Sequence, residues 1–400
     1  MNLTSSHPFW TVNNGLVESY PSLQRDVECD AVVVGGGITG ALAGVHLSEA
    51  GIKTVLIDKR DIGGGSTSAS TGLLQYEIDV PLRELIPRVG RQAALRSLQL
   101  CREAIGKLQR LAARSSIECG FERKPSLFLA RYGSEIPAFK EEFRLRREAG
   151  VQLRLLDAQA LRQQFSFARP AALLSRDGAQ VDPHRLTHGL LRTGMKRGLQ
   201  VYDRTEMTEL EETRRGVRLT TRQGFRITAR RGIIAAGFES KLLLRGDAGS
   251  LKSTYALISE PHSNTSGWPH QCLIWESGSP YLYMRTTEEG RVIVGGEDDD
   301  FVSAKRRDAS LARKTRTLLT KFTRLFPTMP IEVAYSWAGT FAQTKDGLAF
   351  IGIHSRFPHL YFALGYGGNG ITFSLIAAEI IRDSFLGRKN PDARIFRFGR

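Results

Sequence analysis

The chain alternates between two hydrophobic periods. The apolar run AVVV at 31–34 leads into GGGITG at 35–40, then helix-forming residues at 41–50 closed by Gly51, then KTVLID at 53–58. Short apolar runs bounded by glycine read as buried strands, so 31–58 predicts one βαβ unit. Spacings of three and four (Leu95, Leu98, Cys101, Ile105, Leu108, Leu111) predict a helix over 84–115, and similar patterns predict helices over 136–149 and 304–326. Asp182 and Pro183 mark the start of another helix running to 197. Strand-type patterns occur at 126–130, 199–202, 217–220, 225–228, 232–237, 281–285, 291–294 and 360–365, and a tight turn at 366–370 precedes a helix over 371–386. Residues 1–28, polar with scattered aromatics, read as an extended arm.

Inside a βαβ unit the G-x-G-x-x-G spacing has a chemical meaning. Gly35 permits a tight turn, Gly37 lets backbone approach a pyrophosphate, and Gly40 lets helix and strand pack closely. The helix N-terminus offers free N–H groups to phosphate oxygens, and Asp58 ends the second strand where a ribose hydroxyl is met. The unit implies a dinucleotide without distinguishing NAD from FAD.

At 400 residues the chain exceeds the usual size of one core, so two domains are expected. No apolar run reaches the length of a membrane span, and the start of the sequence lacks a secretory pattern. The four cysteines are widely spaced, which reads as reduced thiols in a cytoplasmic protein. Net charge is +15, but the basic residues are dispersed without a nucleic-acid-binding motif, so no nucleic acid is expected. His184 and His188, four apart on a helix, are expected on a solvated face without metal, and His46 is read as structural.

The strand run at 199–237 ending in an Ala-Ala-Gly turn is unlike the second half of a nicotinamide domain. With GSTSASTGL at 65–73, IIAAG at 233–237, WAG at 337–339, KDG at 345–347 and GYGGNG at 365–370, the chain resembles the D-amino-acid oxidase family of flavoproteins, which includes glycine and sarcosine oxidases and γ-glutamylputrescine oxidoreductases. That resemblance implies an α/β fold: a glutathione-reductase-type, Rossmann-like FAD domain (1–83, 151–250, 336–400) interleaved with an antiparallel-sheet α+β substrate domain (84–150, 251–335).

It also implies FAD-binding positions. The first group is Gly35, Gly37, Ile38, Thr39, Gly40, Asp58 and Lys59. Ser66, Thr67, Ser70, Thr71, Gly72 and Leu73 would pass the pyrophosphate and isoalloxazine. Met207, Ala236 and Gly237 would lie near adenine. Gly339, Asp346, Gly347, Gly367, Gly368, Asn369, Gly370 and Ile371 complete the set, the last turn offering N–H groups to the reduced flavin. Relatives with covalent flavin use a cysteine near 337–347; none stands here, so FAD is expected to be non-covalent.

The implied reaction is hydride transfer from the carbon of an amine or amino-acid derivative to flavin N5, followed by imine hydrolysis, with oxygen or another acceptor taking the electrons. The alternatives are a hydroxy-acid or glycerol-phosphate dehydrogenase feeding quinone, and a non-catalytic flavin-binding subunit. Where glycine oxidases carry carboxylate-binding arginines, this chain has Phe341 and Gly368. Tyr283, Arg285, Phe341 and Tyr366 are the substrate-site candidates, and Arg285 is the expected anion partner.

Overall fold

The computed structural model describes residues 4–115, 117–244, 249–262, 264–301 and 303–400. Among these the strands form two sheets. Five parallel strands make the first: Phe357–Leu364, Arg226–Ile234, Val27–Val34, Thr54–Ile57 and Gln200–Tyr202, in that order. Phe350–His354 pairs antiparallel at one edge, and Met207–Thr213 and Gly216–Thr221 form a meander leading into Arg226–Ile234. The predicted strands at 225–228 and 232–237 are thus one strand.

The βαβ unit forms as the sequence predicts. Helix Ile38–Glu49 is buried over most of its length, pressed between the sheet and helices Pro183–Met195 and Gly370–Phe385. Its small residues permit this approach: a Cβ on Gly40 would stand 1.8 Å from the Gly35 carbonyl oxygen. The helix expected over 84–115 is two helices, Leu82–Val89 and Arg91–Arg114, separated by Gly90 at φ +83°. Leu98, Cys101, Ile105 and Leu108 of the longer helix share a core with Leu42 and Ile376, so it packs on the dinucleotide side.

The second sheet is mainly antiparallel and ten-stranded. From one edge it runs Thr4–Ser5, Val333–Gln343, Ser250–Ser259, Val292–Asp299, Leu282–Thr286, Leu273–Glu276, Glu122–Leu129, Ala171–Gln180 and Leu73–Leu74, with Leu153–Asp157 also on Ala171–Gln180. Helix Ala304–Leu325 covers it, with Leu318, Phe322 and Leu325 meeting Trp268, Leu257 and Val294 in a separate core. Strand membership crosses the boundaries expected from sequence. Residues 153–157 and 171–180 belong to this sheet, and so does most of 333–343. The N-terminal segment is no extended arm. Thr4–Ser5 pairs with Gly339 and Ala338, helix Phe9–Asn14 follows, and Phe9, Trp10 and Tyr20 are buried.

Candidate active site

A cavity of about 790 Å³ begins at the C-terminal ends of the parallel strands, at Val34, Ile57 and Ile234, and reaches the second sheet at Thr254, Tyr283 and Gly339. That is where open α/β sheets bind ligands, and its size falls in the range of small-molecule and cofactor sites.

The phosphate end is built from glycines. Gly35, at φ +116°, lies so close to the next turn that a Cβ would be 2.4 Å from the Ala235 carbonyl oxygen. A Cβ on Gly37 would be 2.9 Å from Thr67 Oγ1, and that hydroxyl accepts from the Ile38 amide at 3.0 Å. Ser66 Oγ is buried in the cavity wall without a hydrogen-bond partner. Asp58 Oδ2 accepts from the Gly36 amide at 2.7 Å and Oδ1 from the Arg60 amide at 2.8 Å, which fixes the carboxylate at the cavity's edge. Lys59 lines the same end and pairs with Glu239 at 2.8 Å. Against burial, which pushes it up, Lys59 and Arg60 hold the Glu239 carboxyl at about 2. Met207, Ala236 and Gly237 complete this wall. The open glycine cradle and the orphaned Ser66 hydroxyl fit a dinucleotide pyrophosphate.

The loop at 66–73 is held from behind by three consecutive carbonyls. Trp337 Nε1 donates to Ala69 O at 2.9 Å, Trp10 Nε1 to Ser70 O at 2.7 Å, and Arg285 Nε to Thr71 O at 2.7 Å. Ser70, Thr71 and Leu73 therefore face the cavity from a fixed backbone. This grip relocates one expected substrate residue. Arg285 is buried, and besides Thr71 O it donates to Val181 O at 3.1 Å and Thr286 O at 3.2 Å. Burial draws its pKa down to about 10, so it stays cationic at neutral pH, but it lies outside the cavity lining. It braces the loop and presents no donor to an anion in the cavity.

Tyr283, Phe341 and Tyr366 do line the cavity. Gly295 makes room for the Tyr283 ring, since a Cβ there would be 2.3 Å from it. Gly339, Gly367, Gly368, Gly370 and Ile371 line the cavity as well. Gly40, Gly72, Asp346, Gly347 and Asn369 stand behind it as supports. Asn369 Nδ2 donates to Gln75 O at 3.1 Å and Glu77 O at 2.7 Å, Asp346 pairs with Arg400 at 2.7 Å, and Gly347 packs on Val80.

Sequence reasoning missed the segment at 75–84. Gln75, Glu77, Asp79 and Arg83 line the cavity, together with Trp275 and Tyr281 from elsewhere. Glu77 and Asp79 lie in an irregular stretch between Leu74 and the helix at Leu82–Val89, where no period marks a face. Asp79 Oδ2 accepts from the Gly368 amide at 2.7 Å. Glu77 is 4% exposed; its Oε1 accepts from Ser126 at 2.9 Å and lies 3.5 Å from Arg146 Nη1. Arg146 is buried against Tyr76, Phe128 and Trp275, and it also pairs with Glu142 at 2.8 Å. Burial pushes the Glu77 and Asp79 carboxyls up, and chiefly for the same reason the Asp298 carboxyl, beside Thr254 and Tyr281, is pushed up to about 6.

His184 and His188 are buried, contrary to the solvated face expected for them. His188 Nδ1 stands 3.0 Å from Tyr20 OH, and its ring is 4.7 Å from that of His184. His46 Nδ1 lies 2.8 Å from Leu42 O inside its own helix. Among the described residues no cluster of three His, Cys, Asp or Glu is placed to hold a metal, and no helix is long and apolar enough to cross a membrane.

Residues 30–384 match the family DAO, FAD dependent oxidoreductase. The chain is 27% identical over 388 residues to gamma-glutamylputrescine oxidoreductase of Escherichia coli, covering 92% of this chain and 86% of the relative. It is 24% identical to glycine oxidase of Bacillus licheniformis, covering 90% and 94%. The crystal structure of glycine oxidase from Geobacillus kaustophilus superposes with a TM-score of 0.77 at 22% identity, covering 93% of this chain and 99% of that one.

Proposed function

Because this chain belongs to the family of FAD-dependent oxidoreductases, we propose that it oxidises the C–N bond of an amine that carries no carboxylate on the reacting carbon. The observation that carries this reading is the position of Arg285. Its guanidinium is held by three backbone carbonyls, so the wall formed by Tyr283, Phe341 and Tyr366 offers no arginine to an α-carboxylate. A carboxylate placed against Phe341 would lose its hydration and gain no partner, at a cost of several kcal/mol.

FAD, when bound, supplies the two-electron acceptor for the hydride leaving the carbon beside nitrogen. The nitrogen lone pair closes the C=N bond, and water splits the resulting imine into a carbonyl compound and an amine. FAD would be held here without a covalent link, and oxygen or another acceptor would take the electrons. The chain's own residues orient and exclude. Gly35, Gly37 and Ser66 would hold the pyrophosphate, and the pinned loop at 66–73 would fix the ring plane. The aromatic wall would keep the reacting amine neutral by withholding water.

The test is anaerobic mixing of the purified holoenzyme with a panel of amines, α-amino acids and hydroxy acids while the flavin band is followed. Bleaching by amines and not by glycine or D-alanine is expected. Bleaching by hydroxy acids alone would overturn the reading in favour of a dehydrogenase, and efficient reduction by glycine would overturn the exclusion of α-carboxylates.

A further inference from the structure

We propose that Glu77 and Asp79 form a second ammonium site, so that the substrate is a diamine or longer polyamine with one nitrogen at the flavin and another held by these carboxylates. This rests on the reading of the enzyme as an amine oxidoreductase.

The inference follows from a local count of charge. Arg146 is the guanidinium of a buried trio, and two carboxylates, Glu142 and Glu77, share it at 2.8 and 3.5 Å. The trio therefore carries one negative charge more than it neutralises, when all three groups are ionised. Glu142 is further satisfied by the amides of Leu82 and Arg83 at 3.1 and 3.2 Å. The excess falls on Glu77, which lines the cavity, is 4% exposed, and leaves Oε2 without a partner. Asp79, on the same segment, has the Gly368 amide as its hydrogen-bond donor and no lysine or arginine within ion-pair distance among the described residues; Lys252 acts on it only from farther off and is paired with Asp300 at 3.0 Å. A buried carboxylate in this state, with a half-buried one two residues on, calls for a cation that donates N–H.

The other acids of the wall are already matched. Glu276 pairs with Arg169 at 2.6 Å, and Glu135 accepts from the amides of Arg131 and Tyr132. Arg83, the arginine of this end of the cavity, pairs through Nη2 with Glu84 at 2.8 Å, and its buried Nη1 has no hydrogen-bond partner. The uncompensated sign is negative, in a chain whose net charge is +15. A second ammonium supplies the missing charge and up to three N–H donors for Glu77 Oε2 and Asp79.

The test uses dithionite-reduced holoenzyme, in which no turnover occurs. Calorimetric titration compares straight-chain diamines of three to six carbons with the matching monoamines and ω-amino acids. At least one diamine is expected to bind about tenfold or more tighter than its monoamine, as a charge-assisted hydrogen bond would give, with the ω-amino acid weakest. Asp79→Asn and, separately, Glu77→Gln are expected to bring the diamine-to-monoamine ratio toward one. Tighter binding of an ω-amino acid would overturn the proposal and assign this end of the cavity to Arg83. Equal affinity for diamines and monoamines, or an equal loss of both in the variants, would also overturn it. If the diamine preference holds while no amine bleaches the oxidised flavin, the amine-oxidation reading fails and the ammonium site stands.

Discussion

Asp79 and Gly368 fix one another: the Gly368 amide donates to Asp79 Oδ2 at 2.7 Å, and a Cβ at 368 would stand 2.7 Å from Oδ1. A side chain at 368 and a carboxylate at 79 therefore exclude each other. Gly368→Ala is expected to destabilise the protein by about 1–3 kcal/mol, the range for overpacking. The same change in an Asp79→Ala background should cost less by more than about 0.5 kcal/mol, the coupling that neighbours show. Denaturant unfolding of the two single variants and the double variant measures this; strict additivity would contradict the contact.

Arg285→Ala should act on stability and leave substrate preference alone. It strands three buried carbonyls at about 1–3 kcal/mol each, so the melting temperature should fall while the ratio of KM values for anionic and neutral amines stays constant. A selective rise in KM for an anionic amine would return Arg285 to the substrate site.

Asp58→Ala should weaken FAD by about 1.5–3 kcal/mol, the range for a hydrogen bond to a charged group, or about tenfold and more. Apoprotein titrated with FAD reads this directly. Acid precipitation of the wild type should release the flavin into the supernatant, since no cysteine stands in the 337–347 segment. Colour kept in the pellet would show a covalent bond.

Stability should fall as pH drops from about 6.5 to about 4, in part through His188. Burial, together with the nearby His184 and Arg192, lowers its pKa from 6.5 to about 4 in the folded chain. Between those values the unfolded chain binds the proton and the folded chain does not, so protonation favours unfolding as pH falls. His188→Gln should flatten the melting-temperature profile across that window relative to wild type. An unchanged slope would show that other groups set it, the buried His46 and His184 among them.

The parts legible in the sequence were those whose chemistry is local. The βαβ unit could be read because Gly35, Gly37 and Gly40 act within a few residues of one another. The segment at 171–180 looked like no strand: AALLSRDGAQ mixes Gly178 and charged residues, and its pairing with Glu122–Leu129 is a long-range fact. Arg285 misled because a sequence shows an arginine on a strand and not what faces it. Gly72, at φ +72°, turns the loop so that the Thr71 carbonyl reaches that guanidinium. Phe9, Trp10 and Tyr20 lacked a period, so the burial of the first two against distant strands, and of Tyr20 against His188, was hidden. Glu77 and Asp79 sit in an irregular stretch without a period, and their meaning depended on Arg146, which lies on a helix far along the chain.

The pairing of Thr4–Ser5 with Gly339 and Ala338 also sets an order of events in the cell. Residues 4–14 leave the ribosome long before the strand they need exists, so Phe9 and Trp10 wait without part of their cover until residues 337–339 are made. Trp10 and Trp337 grip neighbouring carbonyls of the loop at 66–73. The loop at 66–73 therefore takes its final form only after residue 337 has been synthesised. A ribosome stalled before residue 337 would carry a chain with that loop only partly clasped.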